Sequence, residues 1–523
     1  MVRRWVIVVL TALVASAGSV VAVTLGASPA AAAVEDDGAG CPVPGTGALT
    51  ANPRLPDPFR KVDGTRITSK SDWRCRRAEI KELAERHIYG DKPAKPASVT
   101  GTVSSSGITV NVTQNGRTAS FSAGVQLPSG TGPFPAVIVV GGFGADTATI
   151  RASGAAVITY DPLAVGREGT PRNNKQGAFY TIYGATSSTG LLAAWAWGAS
   201  RIIDVVEQSG GSLLRADALG VTGCSRYGKG AFAVGAFDQR IALTMPIESG
   251  SAGVPILRGL PGEPGAQPLS SAYGEQPWLG DAFSAFTGSP NTLPVDMHEV
   301  VAMVAPRGLF IMENPHVDWL AARSGSVSAL GGAEVYKALG AGDNITYWSD
   351  VADGTHCASR PEWRTPLQQN IQKFLLKTGN TAGTFRISSR KAGNLSEWRD
   401  WQTPTLSDGG PTTPPPTGGP TTPPPAGPGC TSTVSVNQWT GGFVATIRVA
   451  AGSQALNGWT VALTLASGAT ITSAWNANRT GNSGAVQFTN VAYNGSVAPG
   501  QSTEFGFQGT GVGSGLSPSC TAR

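Results

Sequence analysis

Histidine is nearly missing from this chain: 523 residues hold four. Imidazole chemistry therefore has four places to sit, and no His/Cys cluster shows metal-ligand spacing, so no metal or other cofactor is expected. Charge is thin as well, at 14% of residues, and the net +5 includes Arg3 and Arg4 at the very start. With no basic stripe, nucleic acid is an unsuitable partner. Past the N-terminal segment no apolar run is long enough to span a bilayer, which argues against a membrane protein. The stretch around Ser225 also lacks the generic hydrolase elbow Gly-x-Ser-x-Gly, because its second glycine falls three residues after the serine.

Small and turn-forming residues are plentiful instead, with 69 Gly and 37 Pro, and their distribution marks out domains. The chain opens with Arg3-Arg4, an apolar run from Trp5 to Val23 and then Ala30-Ala31-Ala32-Ala33. This is the pattern of a secretory signal over 1–33, cut near Ala33, and it implies a secreted, extracellular protein. Residues 409–429 repeat Gly-Gly-Pro-Thr-Thr-Pro-Pro-Pro, which cannot form a packed core. Such a tract favours polyproline II at roughly 3.1 Å per residue, a spacer of about 65 Å. A large unit, 38–401, precedes it and a small one, 430–523, follows. The six cysteines suit disulfides in an exported chain, with 15 pairings open in principle. Cys430 and Cys520 bracket the small unit. Cys224 precedes Ser225 and Cys357 follows His356, so a bridge between those two would hold serine and imidazole side by side.

The large unit alternates continuous apolar runs with helical patterns. Ala136–Val140, Ala156–Tyr160, Ala218–Thr222, Leu243–Ile247, Gly308–Met312 and Asn344–Trp348 read as strands, and Leu191–Val206 as a helix. Apolar strands alternating with helices predict a mostly parallel sheet covered on both faces, a three-layer α/β sandwich with polar residues gathered at the strand ends. The small unit has no helix signal. Trp459, Val461, Leu463 and Leu465 alternate with Thr460, Ala462 and Thr464, which predicts an all-β sandwich with Trp459 in its core.

Gly223-Cys224-Ser225-Arg226-Tyr227-Gly228-Lys229 lies between an apolar strand and a helical run. A tight turn there would present the Ser225 hydroxyl at the sheet edge, with the helix N-terminus aimed at a developing oxyanion. A serine nucleophile needs a base and the base an orienting acid. His87 and His298 lie on helix-like segments and His316 follows Pro315. His356 alone sits in a loop after the last long strand, where a hydrolase base belongs. For the acid, Glu248, Glu313 and Asp318 all follow strands and remain open. Lys229 lies one helical turn after Ser225, so both can reach one ligand.

Taken together, Gly-Cys-Ser-Arg-x-Gly-Lys-Gly-Ala, Glu248-Ser249-Gly250, Gly274-Glu275-x-Pro277-Trp278, Asp318-Trp319-Leu320 and His356-Cys357 resemble the glucuronoyl esterases, carbohydrate esterase family fifteen. The resemblance covers most of 41–375. It implies an α/β-hydrolase fold and a serine esterase, a carboxylic ester hydrolase acting on 4-O-methyl-glucuronic acid esters of glucuronoxylan, including lignin–carbohydrate links. On this resemblance Ser225 is the nucleophile, His356 the base and Glu248 the acid, with Arg226 on the oxyanion. Some members take the acid from the later strand, so Glu313 or Asp318 stays in play. Lys229, Gln267, Glu275 and Trp319 would contact the uronate ring. Cys224 would pair with Cys357 and Cys41 with Cys75. Tyr227 stands where fungal members usually have Asn and should point away from substrate. The small unit resembles family-two bacterial carbohydrate-binding modules through Asn437-Gln438-Trp439, Gly458-Trp459, Ala474-Trp475-Asn476 and Tyr493-Asn494-Gly495. That likeness implies a flat cellulose- or xylan-binding face made by Trp439, Trp475 and Tyr493. The expectation is a monomer with polysaccharide partners. The rival readings are an acetyl-xylan-type deacetylase and an inactive polysaccharide-binding protein.

Overall fold

The structure is a computed structural model describing residues 34–407 and 429–523, apart from 440, 492–493, 500 and 514 and the side chains of 435, 437 and 439. The expected signal segment, Tyr493, and the expected linker up to residue 428 lie outside the described residues. Two compact units divide the chain.

Among the described residues the first unit carries ten strands: β1 (Ser98–Val103), β2 (Gly107–Gln114), β3 (Arg117–Gln126), β4 (Phe134–Val140), β5 (Ala156–Tyr160), β6 (Leu214–Cys224), β7 (Ile241–Ile247), β8 (Gly308–Met312), β9 (Ile345–Trp348) and β10 (Phe385–Arg386). Its helices are α1 (Asp72–Ala84), α2 (Thr147–Ala152), α3 (Ala178–Tyr183), α4 (Leu191–Gln208), α5 (Arg226–Phe237), α6 (Leu269–Glu275), α7 (Met297–Met303), α8 (Ala322–Ala338) and α9 (Pro361–Ile371). The strands form one sheet in the order β1-β2-β3-β5-β4-β6-β7-β8-β9-β10. From β5 onward neighbouring strands run parallel, and β1–β3 add an antiparallel meander at one edge.

Every residue of β4 is buried. Ala136, Ile138 and Val140 join the core that contains Trp195, Trp197 and Phe232 of α4 and α5. Val137 and Val139 join the opposite layer with Ile150 of α2 and Trp363, Leu367 and Ile371 of α9. A strand buried on both faces has no place for polar alternation, which is why its sequence reads as an unbroken apolar run. The chain leaves β4 for β5 on one side and returns to β6 on the other. The loops after β4 and β6 therefore diverge and open a crevice at the strand C-termini.

The unit also includes residues upstream of 38 and downstream of 401. Glu35 is fully buried and ion-pairs with Lys92, Arg201 and Arg240. Ser407 bridges to Ser69, and Leu406 lies in the core.

The second unit is a sandwich of two four-stranded sheets. Its strands are β11 (Cys430–Trp439), β12 (Gly442–Ala451), β13 (Trp459–Thr464), β14 (Thr470–Trp475), β15 (Ala477–Thr480), β16 (Ala485–Asn490), β17 (Ser502–Thr510) and β18 (Ser519–Ala522). One sheet has the order β11-β12-β17-β14 and the other β15-β16-β13-β18, with neighbours antiparallel. Trp459 is fully buried and stacks on Phe505 with ring centroids 5.1 Å apart. Cys430–Cys520 ties β11 of one sheet to β18 of the other.

Candidate active site

Ser225 sits between β6 and α5 with φ 59° and ψ −126°. A non-glycine residue at positive φ is strained, and such strain gathers at functional turns. Glu248, just after β7, has φ 45° and Cys357, beside His356, has φ 59°. The three turns that carry the expected serine, acid and base thus each hold a non-glycine residue at positive φ. The glycines around Ser225 answer to packing. A Cβ at Gly223 would lie 2.5 Å from the Tyr227 carbonyl oxygen, and one at Gly228 would lie 2.4 Å from that of Ile247. The glycine at 228 is set by the approach of α5 to β7, which accounts for its departure from the generic spacing.

The backbone N–H of Ser225 donates to Ile247 O at 3.0 Å, and the helical ladder starts with Lys229 N donating to Ser225 O at 3.0 Å. Residues 226–228 are therefore the first-turn donors that α5 itself leaves unpaired. His356 Nδ1 lies 2.5 Å from Glu248 Oε2, which also accepts from Cys357 N at 2.9 Å. Glu248 Oε1 accepts from Asn314 Nδ2 at 3.4 Å, and the guanidinium of Arg360 lies 3.7 Å from it. Arg360 also donates to Thr355 O at 2.6 Å, pinning the loop just before the imidazole. Cys224–Cys357 joins the residue before Ser225 to the residue after His356, and Cys41–Cys75 forms as expected too. The Cys224 and Cys357 sulfurs lie within 4.8 Å of donor atoms of Glu248 and His356. Bonded to each other, they offer no thiolate to a cation.

The competing acids sit elsewhere. Glu313 is fully buried with neither carboxyl oxygen hydrogen-bonded. Burial, with the neighbouring Glu248 charge adding to it, holds its pKa well above the carboxylate range. Asp318 has an exposed carboxylate 3.1 Å from Lys391. The other histidines are likewise placed: His298 is fully buried against Pro56 O at 2.9 Å, and His316 Nε2 lies 2.9 Å from Val351 O.

Ser225, Arg226, Lys229, Gln267, Glu275, Trp319 and His356 line one cleft, with Phe143, Gly250, Trp278, Leu320 and Cys357. The residues expected as nucleophile, base, oxyanion group and ring contacts thus all line this space, while Glu248 is buried outside the lining. Gln267 Nε2 donates to Glu275 Oε2 at 2.8 Å. Lys229 Nζ donates to Ser249 O at 2.5 Å and lies 5.5 Å from the Trp278 ring. Burial lowers its pKa to about 8. Trp319 is 52% exposed, and its ring meets that of His356 edge to face at 5.9 Å. Tyr227 turns from the cleft lining onto the rings of Phe143 and Trp195. The sequence reading missed Arg360, Asn314 and the place of Trp278 in the lining. Of these only Trp278 stood inside a quoted motif; the others come from separate loops with no shared spacing.

In the second unit Trp475, at the end of β14, is 40% exposed. Trp439 ends β11, opposite Gly442 of β12 in the same sheet.

A family model described as "Glucuronyl esterase, fungi" matches residues 110–340, and one described as "Cellulose binding domain" matches 430–522. The 4-O-methyl-glucuronoyl methylesterase of Hypocrea jecorina is 37% identical over 70% of this chain and 79% of its own length. The Neurospora crassa protein of the same name is 38% identical over 70% of this chain and 93% of its length. Among solved structures, a serine-to-alanine variant of the Sporotrichum thermophile glucuronoyl esterase, in complex with methyl 4-O-methyl-beta-D-glucopyranuronate, is 37% identical. It covers 70% of this chain and 100% of its own, with TM-score 0.66. A carbohydrate esterase family 15 enzyme from Caldicellulosiruptor kristjansonii is 30% identical over 68% of this chain and 98% of its own, with TM-score 0.58.

Proposed function

The chain belongs to the glucuronoyl esterases, carbohydrate esterase family fifteen, and we propose that it hydrolyses esters of (4-O-methyl-)glucuronic acid on glucuronoxylan, including lignin–carbohydrate ester links. The observation carrying this reading is the Ser225 turn sharing one cleft with an imidazole that is bonded to Glu248. Ser225 Oγ attacks the C6 carbonyl and His356 Nε2 takes its proton. Glu248 accepts from Nδ1, fixes the tautomer and stabilises the imidazolium. The Ser225 Oγ–His356 Nε2 hydrogen bond that this transfer needs forms once substrate fills the cleft. The oxyanion rests on the backbone N–H and guanidinium of Arg226. His356 then protonates the departing alcohol, and water, activated by the same imidazole, releases glucuronate from the acyl-enzyme. Lys229, Gln267 and Glu275 supply donors and acceptors to the ring hydroxyls, and Trp319 supplies a flat apolar surface.

Export by the 1–33 segment brings a monomeric enzyme to the plant cell wall. The second unit holds cellulose or xylan there through Trp439, Trp475 and Tyr493. The decisive assay compares methyl glucuronate with acetylated xylan. Release of glucuronate is expected, with Ser225→Ala lowering it by roughly a thousandfold or more while cellulose binding is kept. Acetate release without uronate release would replace this reading with a deacetylase. No turnover at all, with binding retained, would leave a polysaccharide-binding protein.

A further inference from the structure

Arg226 is an awkward residue to aim. It occupies the first position of α5, where the helix dipole disfavours a cation. Its side chain is 43% exposed, so packing does little to aim it. One carboxylate restrains it: Glu168 Oε2 accepts from Arg226 Nη1 at 3.3 Å. The other oxygen of the same carboxylate, Oε1, accepts from Trp278 Nε1 at 2.6 Å. Trp278 is buried and carries the Lys229 ammonium over its ring, so Glu168 holds both the proposed oxyanion group and the wall behind the proposed ring contact. Glu168 itself does not line the cleft and is only 12% exposed.

The segment bearing Glu168 is held at each step. Gly166 O accepts from the buried Trp195 Nε1 at 2.8 Å, and Arg167 N donates to Gln176 O at 2.8 Å. Gly169 N donates to Gln276 Oε1 at 2.6 Å, which ties this loop to the one carrying Glu275 and Trp278. A carboxylate on so fixed a backbone is pre-organised to set the direction of a mobile partner.

We propose that Glu168 is a positioning residue for ester hydrolysis, acting on the transition state through Arg226 and on substrate binding through Trp278. This rests on the esterase reading above. Glu168→Gln keeps an acceptor for the indole N–H and loses the charge that orients the guanidinium. In the full-length protein on methyl glucuronate, it should lower kcat about tenfold and leave KM within about twofold. Glu168→Ala loses both bonds and should raise KM about fivefold as well. In an Arg226→Gln background, Glu168→Gln should cost nothing further, because the two residues act as one unit. A general loosening of the fold would instead multiply the two losses. Multiplying losses, or an unchanged kcat in Glu168→Gln, overturns the proposal. If Glu168→Gln does not fold, Trp278→Phe takes its place: raised KM with kcat kept supports the Trp278 arm, and lost kcat with KM kept overturns it. Wild-type protein that releases no glucuronate would count against the esterase reading. Wild-type turnover with multiplying losses counts against Glu168 alone.

Discussion

Two buried titratable side chains beside the cleft behave in opposite ways. Lys229 is charged only below about pH 8, because burial disfavours its ammonium. If the charged form grips the uronate ring, KM should climb as pH rises through 8. Lys229→Met should show a high KM that does not change across that range, read from steady-state kinetics between pH 6 and 9. Glu313 is held protonated by burial. A carboxyl that is neutral when folded and ionised when unfolded supplies stability below its unfolded pKa and loses it as pH rises toward the folded one. Glu313→Gln removes that dependence. Its melting temperature should match wild type near pH 4 and exceed it by about 2–4 °C near pH 8. The same variant separates Glu313 from Glu248 as the acid. Glu313→Gln should change kcat by no more than about threefold, while Glu248→Gln should lower it by roughly a hundredfold or more, since only Glu248 touches the imidazole.

Among the elements, the parallel strands were legible because burial on both faces leaves an apolar run with nothing to interrupt it. Ala136–Val140, Ala156–Tyr160 and Gly308–Met312 lie where that pattern puts them. The meander β1–β3 was passed over. Its β1 announces no period, with Val99 its one buried residue among Thr, Gly and Ser. In β2, however, the buried Ile108, Val110 and Val112 alternate with polar residues, a period-two signal the sequence reading did not use. Ser225 and His356 could be singled out because each follows a strand end in a short motif; strand ends left Glu248, Glu313 and Asp318 open, and the family resemblance chose Glu248. The Arg360 and Glu168 contacts could not be singled out, since nothing local marks the partner of a lone charge far along the chain, 58 and 110 residues away for Glu168. The latch at the start of the first unit escaped for a similar reason. Glu35 stands among acidic residues that resemble a solvated tail, yet it meets Lys92, Arg201 and Arg240 in the interior. Glu35→Ala strands those cations without their carboxylate and should destabilise the first unit by about 3–5 kcal/mol, measured by denaturant unfolding.

At the scale of the molecule, the two units divide labour by chemistry. On the proposed function the cleft reads a soluble ester group and Trp475, exposed at the end of β14, stacks on a sugar face. Trp475→Ala should weaken cellulose pull-down about tenfold and leave hydrolysis of a small soluble ester unchanged, while slowing turnover on insoluble xylan. That split between substrates distinguishes anchoring from any effect on the cleft.

Cys224 and Cys357, 133 positions apart, are welded beside the serine and the imidazole. Most of the hydrolase fold's C-terminal half is thus a closed ring. Proteases that nick an exposed loop inside this ring cannot release either fragment, and Ser225 and His356 stay registered across the cut. A clipped protein of this kind should keep working, migrate as one band until reductant is added, and only then fall into two.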